Sequence, residues 1–414
     1  MDTTPGGTGE ATTTGPDSAS ADGRAPRLSI GLPVYNGERH LREAIDSLLA
    51  QDIGDFELVI SDNASVDGTS EICREYADRD PRVRYSRTEA NVGAAANFNR
   101  AFELCSGDYF MWGSDDDIWE PQFASRCIAR LENSPNAVMC TSQVRFIGED
   151  GELRTDWYRK SVNTPGMRVE TRVHELLREI GWYGIYSVFR PSALAATGLY
   201  RPVFGGDVSL LLELVLQGEA LAVPETLLQY RLPDERKTEE QMAEEIDPQA
   251  ASDEARGNSR PWVFLATELI GIVRESGLPM STITRIEDDF VDTLSFENVV
   301  WAHQVLRESG EDPGAIRSPQ AKRVALRAAL GVGTAEVEET APAYAPWQVR
   351  EGMQMSGLRK VLLKLLQPFG DRQNELDAQH DEALARLAYQ ASWLERRYSD
   401  LGELGDRGRH DGLD

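Results

Sequence analysis

Cysteine, histidine and basic charge are all scarce in this chain of 414 residues. The four cysteines (Cys73, Cys105, Cys127, Cys140) show no C-x-x-C spacing. That argues against a zinc ribbon or a disulfide framework and for a reducing, cytoplasmic setting. The five histidines include no H-x-x-x-H pair, so a histidine metal site has no support. No run of 18 apolar residues occurs, which argues against a spanning helix. The opening stretch MDTTPGGTGEATTTGPDSASADG has no apolar h-region, so no secretory signal is expected. Lys and Arg number 43 against 69 Asp and Glu, a net charge of −26. Such a surface repels phosphate backbones and excludes nucleic acid as a general partner. Neither a G-x-S-x-G elbow nor a Walker A loop is present, which disfavours hydrolase and kinase chemistry.

Hydrophobic residues make up 41%, enough for a sizeable core. Residues 1–26, rich in Thr, Gly and Ser, read as a disordered tail. From Leu28 the apolar runs LSIGLPV, FELVIS, VRYSRT and DYFMWG read as buried strands. Helical patterns of 10 to 15 residues alternate with them, and the strand AVMCTSQVRFI follows. That rhythm predicts right-handed βαβ crossovers, an α/β fold with a mainly parallel sheet and helices on both faces. A looser region to about residue 233 holds a helix near Val173 to Ile180, the strand IYSVFR, a helix from Asp207 to Leu216, and the strands ALAVP and LLQYRL. Residues 234–258 form an acidic linker. Residues 259–370 read as a helical C-terminal domain, and 371–414 as a heptad-like helix and tail. The amphipathic stretch at 358–366 either packs on a protein surface or lies on an anionic membrane, which would place the protein peripherally at its inner face. The heptad seam from Leu384 to Leu401 allows a homodimer.

Ligands of parallel sheets bind beyond the carboxyl ends of the strands. The unusual polar residues lie there: Tyr35 and Asn36 after the first strand, Asp62 and Asn63 after the second, Asp115 to Asp117 after the fourth. Three adjacent carboxylates repel one another unless solvated or shared by a cation, and oxygen-only ligands favour Mg²⁺ or Mn²⁺. Asp62 can accept from a base N–H or contact a ribose, and Tyr35 can stack on a base. Trp182, Tyr183 and Tyr186 are candidate sugar platforms for the acceptor, with core packing the competing reading.

The segments LPVYNGERHLREAIDSLLAQ, FELVISDNASVDGTSEI and NVGAAANFNRAFELCSGDYFMWGSDDDIWEP occur in the order and spacing of the inverting nucleotide-sugar glycosyltransferases of family 2, which they resemble. The resemblance covers roughly Leu28 to Leu232, within a domain placed at 27–233. It implies the GT-A fold, an inverting hexosyl-type transfer, a UDP-, dTDP- or GDP-sugar donor and a divalent cation. It also implies a glycan, lipid-linked or small-molecule acceptor in polysaccharide or glycoconjugate synthesis. By that resemblance Pro33, Tyr35, Asn36 and Glu38 border the nucleoside, Asp62 contacts the base, and Asn91 and Gly93 shape the nucleotide wall. Asp115, Asp116 and Asp117 hold the metal, with Asp115 also near the nucleotide. Asp207, in GGDVSLLLELVLQGE, is the general base; a plain N-cap is its competing reading.

Three departures stand out. Ser114 takes the place of the family's first aspartate. Phe98 stands where many members carry arginine. The family's histidine after the last strand is missing from YRLPDERKT, so Arg231 or Lys237 is left to compensate at the diphosphate. Two alternatives stay open: a non-catalytic scaffold acting through the helical half, and a sugar-1-phosphate nucleotidyltransferase. The second is disfavoured because PVYNGERHL stands where a G-G-x-G-T-x-L loop belongs.

Overall fold

The computed structural model describes residues 24–154, 161–178, 182–233, 260–296, 298–316 and 318–333. Most of the N-terminal tail, the acidic linker, Lys237, the amphipathic 358–366 stretch and the heptad seam lie outside the described residues. The chain divides into two compact units: Met1–Pro165 with Glu179–Pro261, and Gly166–Arg178 with Trp262–Asp414.

The first unit is built on strands β1 (Leu28–Val34), β2 (Phe56–Asp62), β3 (Val83–Arg87), β4 (Tyr109–Trp112), β5 (Ile118–Trp119), β6 (Ala137–Ile147), β7 (Val188–Phe189) and β8 (Glu219–Arg231). They form one sheet in the order β3-β2-β1-β4-β7-β6-β8-β5. β1, β2, β3 and β4 pair in parallel, with Leu28 opposite both Phe56 and Tyr109. β7 runs antiparallel to β4 and β6, and β5 antiparallel to β8, so the sheet is mixed. Every residue of β1 and β2 is buried, as expected for strands covered on both faces. Burying each of Leu28, Ile30 and Leu32 contributes about 1.5–3 kcal/mol.

Helices α1 (Leu41–Leu49), α2 (Thr69–Arg79), α3 (Ala94–Glu103) and α4 (Phe123–Glu132) follow the strands in turn. α1 buries Leu41, Ala44, Ile45 and Leu48, the i, i+3, i+4, i+7 face visible in the sequence. α3 is fixed to β4 by the fully buried Trp112, whose indole N–H donates to the Phe98 carbonyl at 2.9 Å. The Trp112 ring stands edge-on to Phe110 (4.9 Å between centroids) and Phe189 (5.6 Å).

Two local readings are corrected. ALAVP and LLQYRL are one strand, β8, whose exposed Pro224, Glu225 and Thr226 interrupt the burial pattern beside register shifts against β6. IYSVFR is mostly not strand: a 3-10 turn at Trp182–Tyr186 precedes the two-residue β7. Short helix α6 (Pro191–Ala195) and helix α7 (Gly206–Gln217) complete the unit.

The second unit gathers α5 (Val169–Arg178) with α8 (Pro261–Glu275), α9 (Met280–Phe296), α10 (Val299–Glu308) and α11 (Pro319–Leu330). Acidic residues of α9 tie it to three neighbours. Glu287 pairs with Arg274 of α8 at 2.5 Å, Asp289 with His174 of α5 at 2.7 Å, and Asp288 with Arg327 of α11. No helix among the described residues is long and apolar enough to cross a membrane.

Candidate active site

The loops after β1, β2 and β3 interlock at the carboxyl edge. Asn36 sits at φ 53°, in the left-handed region that a short polar residue tolerates. Its N–H donates to Ser65 Oγ (3.0 Å) and its Oδ1 accepts from Val66 N–H (2.9 Å). Gly37 N–H donates to Thr69 Oγ1. Glu38 accepts from Gly68 N–H at 2.6 Å, while its own N–H donates to Asp67 at 3.2 Å. Asn36 and Glu38 are therefore occupied in shaping the turn. Tyr35 is left 42% exposed beside them, and Pro33 is buried in β1. Asn63, read only as Asp62's neighbour, organises the next wall. It donates to Asn91 Oδ1 (2.8 Å) and accepts from Val92 N–H (2.8 Å), while Asn91 accepts from Gly93 N–H. Gly93 has φ 89°, which a side chain would resist.

Asp62 is fully buried at the end of β2. Its Oδ1 accepts from Ser65 N–H at 2.9 Å. Its Oδ2 accepts from the hydroxyls of Ser70 and Tyr85, both at 2.7 Å, and from Arg87 Nε at 3.2 Å. Burial alone would raise its pKa, but the donors from Ser65, Tyr85 and Ser70 outweigh it and the net shift is downward. Tyr85 is pushed up to about 12 by burial and by the charge it serves. In this structure Asp62 is the hub of the β2–β3 edge, with four donors of the chain itself around its carboxylate.

The aspartate loop lies between β4 and β5. Asp115, half-buried, packs its carboxylate against the Cα of Gly37, so a side chain there would collide with it. This contact joins the aspartate loop to the turn carrying Tyr35. Ser114 Oγ donates to Asp116 Oδ1. Asp117 is 1% exposed. Its Oδ1 accepts from Arg231 N–H at 2.8 Å, and its Oδ2 is buried with no donor among the described residues. Burial first, then Asp116 and Asp115, push its pKa well above the ordinary carboxylate value.

Two features bear on a divalent cation. Crowded carboxylates and an acceptor oxygen without a donor are a charge imbalance that a hard cation relieves, so the residue chemistry fits one. Among the described residues, however, no three His, Cys, Asp or Glu side chains come together as a ready-made metal group. Mg²⁺ is commonly held by one or two carboxylates together with substrate phosphates, and that arrangement needs no such group.

Arg231 is corrected. Its guanidinium is 3% exposed. Nε donates to the Asp116 carbonyl, one terminal nitrogen to the carbonyls of Gly148 and Glu149, and the other to Glu43 at 2.7 Å. Four of its five guanidinium hydrogens are used within the fold and its side chain is buried, so it braces the aspartate loop rather than reaching out to a diphosphate. Tyr183 is also corrected: it is 3% exposed, edge-on to Phe146 (6.1 Å) and Tyr230 (6.4 Å), which makes it core and not a sugar platform. Trp182 opens the same turn, and its side chain lies outside the described residues. Tyr186 faces the aspartates: burial, Tyr230, Asp117 and Asp116 all raise its pKa.

Asp207 lies in the first turn of α7, two positions after the N-cap Gly205, so the N-cap reading does not hold. Its Oδ1 accepts from Val208 N–H at 2.9 Å. No side chain among the described residues donates to it or pairs with it. Partial burial raises its pKa against the pull of backbone N–H groups. α7 packs on the turn that presents Tyr186, with Gly184 set against Leu211.

The first unit is a mixed sheet flanked by helices, an α/β fold with turn residues and carboxylates gathered at one edge. Residues 29–190 match the model for Glycosyl transferase family 2, and the chain carries a domain of that family. An uncharacterized Mycobacterium tuberculosis protein is 37% identical over 127 residues, 30% of this chain and 37% of that protein. Escherichia coli chondroitin synthase is 31% identical over 135 residues, 33% of this chain and 20% of the synthase. The chain thus spans well under two thirds of these relatives. The solved structure of S. aureus TarS 1-349 in complex with UDP-GlcNAc superposes with a TM-score of 0.50 at 14% identity. It covers 74% of this chain and 90% of that one, a likeness of fold.

Proposed function

We propose that this chain is an inverting, cation-assisted glycosyltransferase that moves a sugar from a nucleotide-diphosphate donor to an acceptor hydroxyl. The observation that carries the proposal is the junction of Asp115 with Gly37. It brings the exposed Tyr35 turn and the aspartate loop onto one edge. The nucleoside lies against Tyr35 and the wall set by Asn63, Asn91 and Gly93. Asp62, next in sequence to Asn63, ties the ends of β2 and β3 together through Ser65, Ser70, Tyr85 and Arg87. Asp116, with its neighbours in the triplet, is the holder of Mg²⁺ or Mn²⁺, which when bound would offset charge on the departing diphosphate.

Asp207 is the base. An inverting transfer needs one carboxylate to take the acceptor proton during in-line attack. Asp207 carries no counter-charge that would make it a poor base, and burial keeps its basicity above that of a surface aspartate. The resemblance to chondroitin synthase supports an acceptor in polysaccharide or glycoconjugate synthesis.

Thermal melting with UDP, GDP and dTDP, with and without Mn²⁺, tests the reading, followed by donor hydrolysis across the matching nucleotide sugars. Stabilisation by one nucleotide that grows with Mn²⁺ is expected. No response to any nucleotide favours the scaffold reading instead.

A further inference from the structure

The segment leading into α7 is held from an unexpected side. Asn99, on the exit half of α3, makes two hydrogen bonds to one residue. Its Nδ2 donates to the Tyr200 carbonyl and its Oδ1 accepts from Tyr200 N–H, both at 2.9 Å. A planar amide facing a peptide group in this way reproduces a backbone pairing, which Asn can supply and Asp, Ala or Ser cannot. The Tyr200 ring is tilted against Phe98 at 5.1 Å. It also reaches the backbone of Gly206, where an added Cβ would stand 3.2 Å from Tyr200 Cε1. Gly206 immediately precedes Asp207. Leu199, just before Tyr200, is at φ 55°, a conformation an unrestrained leucine avoids. A second tie reaches the segment from α7 itself, where Glu213 accepts from Gly198 N–H (2.9 Å) and pairs with Arg201 (2.6 Å).

We infer that Asn99 is a positioning residue for Asp207: its amide pins Tyr200, and the pinned ring covers the Gly206–Asp207 corner and keeps the carboxylate partly out of water. The inference rests on the reading of Asp207 as the base, but its geometric content does not. Two observations agree with it. Burial is the leading cause of the raised Asp207 pKa, and Tyr200 is the phenol on which the Asp207 charge acts. α3 also begins at Gly93, so one rigid helix sets both the nucleotide wall and the cover over the base. Arg201 of the segment and Glu213 of α7 are paired with each other.

The test is a carboxyl titration of the full chain labelled with ¹³C-aspartate, the Asp207 signal being identified by its loss in Asp207→Asn. The wild-type midpoint is expected above the ordinary aspartate value of about 3.9. Asn99→Ala frees Tyr200, and the midpoint is expected to drop by roughly half a pH unit or more as water reaches the carboxylate. Tyr200→Ala, which keeps the backbone latch but removes the cover, gives the same drop and serves if Asn99→Ala fails to fold. Tyr200→Phe keeps both and leaves the midpoint in place. A folded Asn99→Ala and a folded Tyr200→Ala that both titrate like wild type overturn the inference. The base assignment fails by a different result, transfer surviving in Asp207→Asn, so the two failures are told apart.

Discussion

Arg231 gives Asp117 its backbone N–H at 2.8 Å and holds the carbonyl of Asp116 with its side-chain Nε at the same distance. One buried arginine thus fixes two consecutive members of the acidic triplet, while reaching Glu43 and the Gly148–Glu149 carbonyls. Arg231→Met leaves the Asp116, Gly148 and Glu149 carbonyls without their shared donor, a loss of roughly 3 kcal/mol, or about 6 °C in melting temperature. Arg231→Lys should restore little, because an ammonium cannot span that fork of acceptors. A lysine variant that melts like wild type would contradict the bracing role.

Asp116→Asn removes a charge from the loop without disturbing Arg231, whose bond is to the Asp116 carbonyl. Near-wild-type melting is expected without ligand. The additional stabilisation that Mn²⁺ confers in the presence of the responding nucleotide should vanish. Retention of that increment would remove Asp116 from the cation site.

Asp207→Asn should abolish transfer and leave nucleotide affinity largely unchanged. It should also stabilise. A carboxyl whose folded pKa lies above its unfolded value loses stability as pH rises through that window, since the native state is the one holding the proton. At neutral pH the amide escapes that penalty, so melting should rise by about 2 °C. The same raised pKa places the acid limb of kcat/KM above the range of a surface aspartate.

Asp62 has the opposite sign. Its folded pKa is lowered, so its contribution is present above about pH 4 and is lost as pH falls through the folded value. Asp62→Asn should melt about 4 °C lower at pH 7 and show a flatter decline in acid. An equally steep acid decline in the variant would mean that other carboxylates dominate.

Tyr183→Ala opens a hole among Phe146 and Tyr230 and should cost about 3 kcal/mol. Tyr183→Phe keeps the ring packing and should leave transfer as it is. A change in acceptor KM without a change in melting would restore Tyr183 as a sugar contact.

The parallel half of the sheet was legible because LSIGLPV and FELVIS are uninterrupted apolar runs followed by turn residues, which two-faced burial requires. β5 was not, since Ile118–Trp119 pairs only with distant β8 and has no local signature. Pro224, Glu225 and Thr226 look like a turn in sequence and are a bulge in space. At the site, residue types at strand ends located Tyr35, Asp62 and the aspartates. What they touch was not readable. The donors to Asp62 come from up to 25 residues away, and Arg231 lies 114 residues beyond Asp117. Neither spacing carries a pattern, so the sequence leaves Arg231 as one of two candidate cations and Tyr183 open between sugar platform and core.

Helix α5 is made early and used late. During synthesis its apolar Val173, Leu176 and Leu177 must wait for α9, and His174 meets Asp289 only 115 residues further on. The chain crosses between its two units at 165, at 178 and again at 261. No single cleavage therefore releases either unit whole. A fragment stopped after β8 would carry an orphaned helix with a sticky side, and one started at α8 would lack a member of its bundle. The transferase half and the helical half are two bodies in contacts but one object in inheritance, to be expressed, truncated or exchanged together.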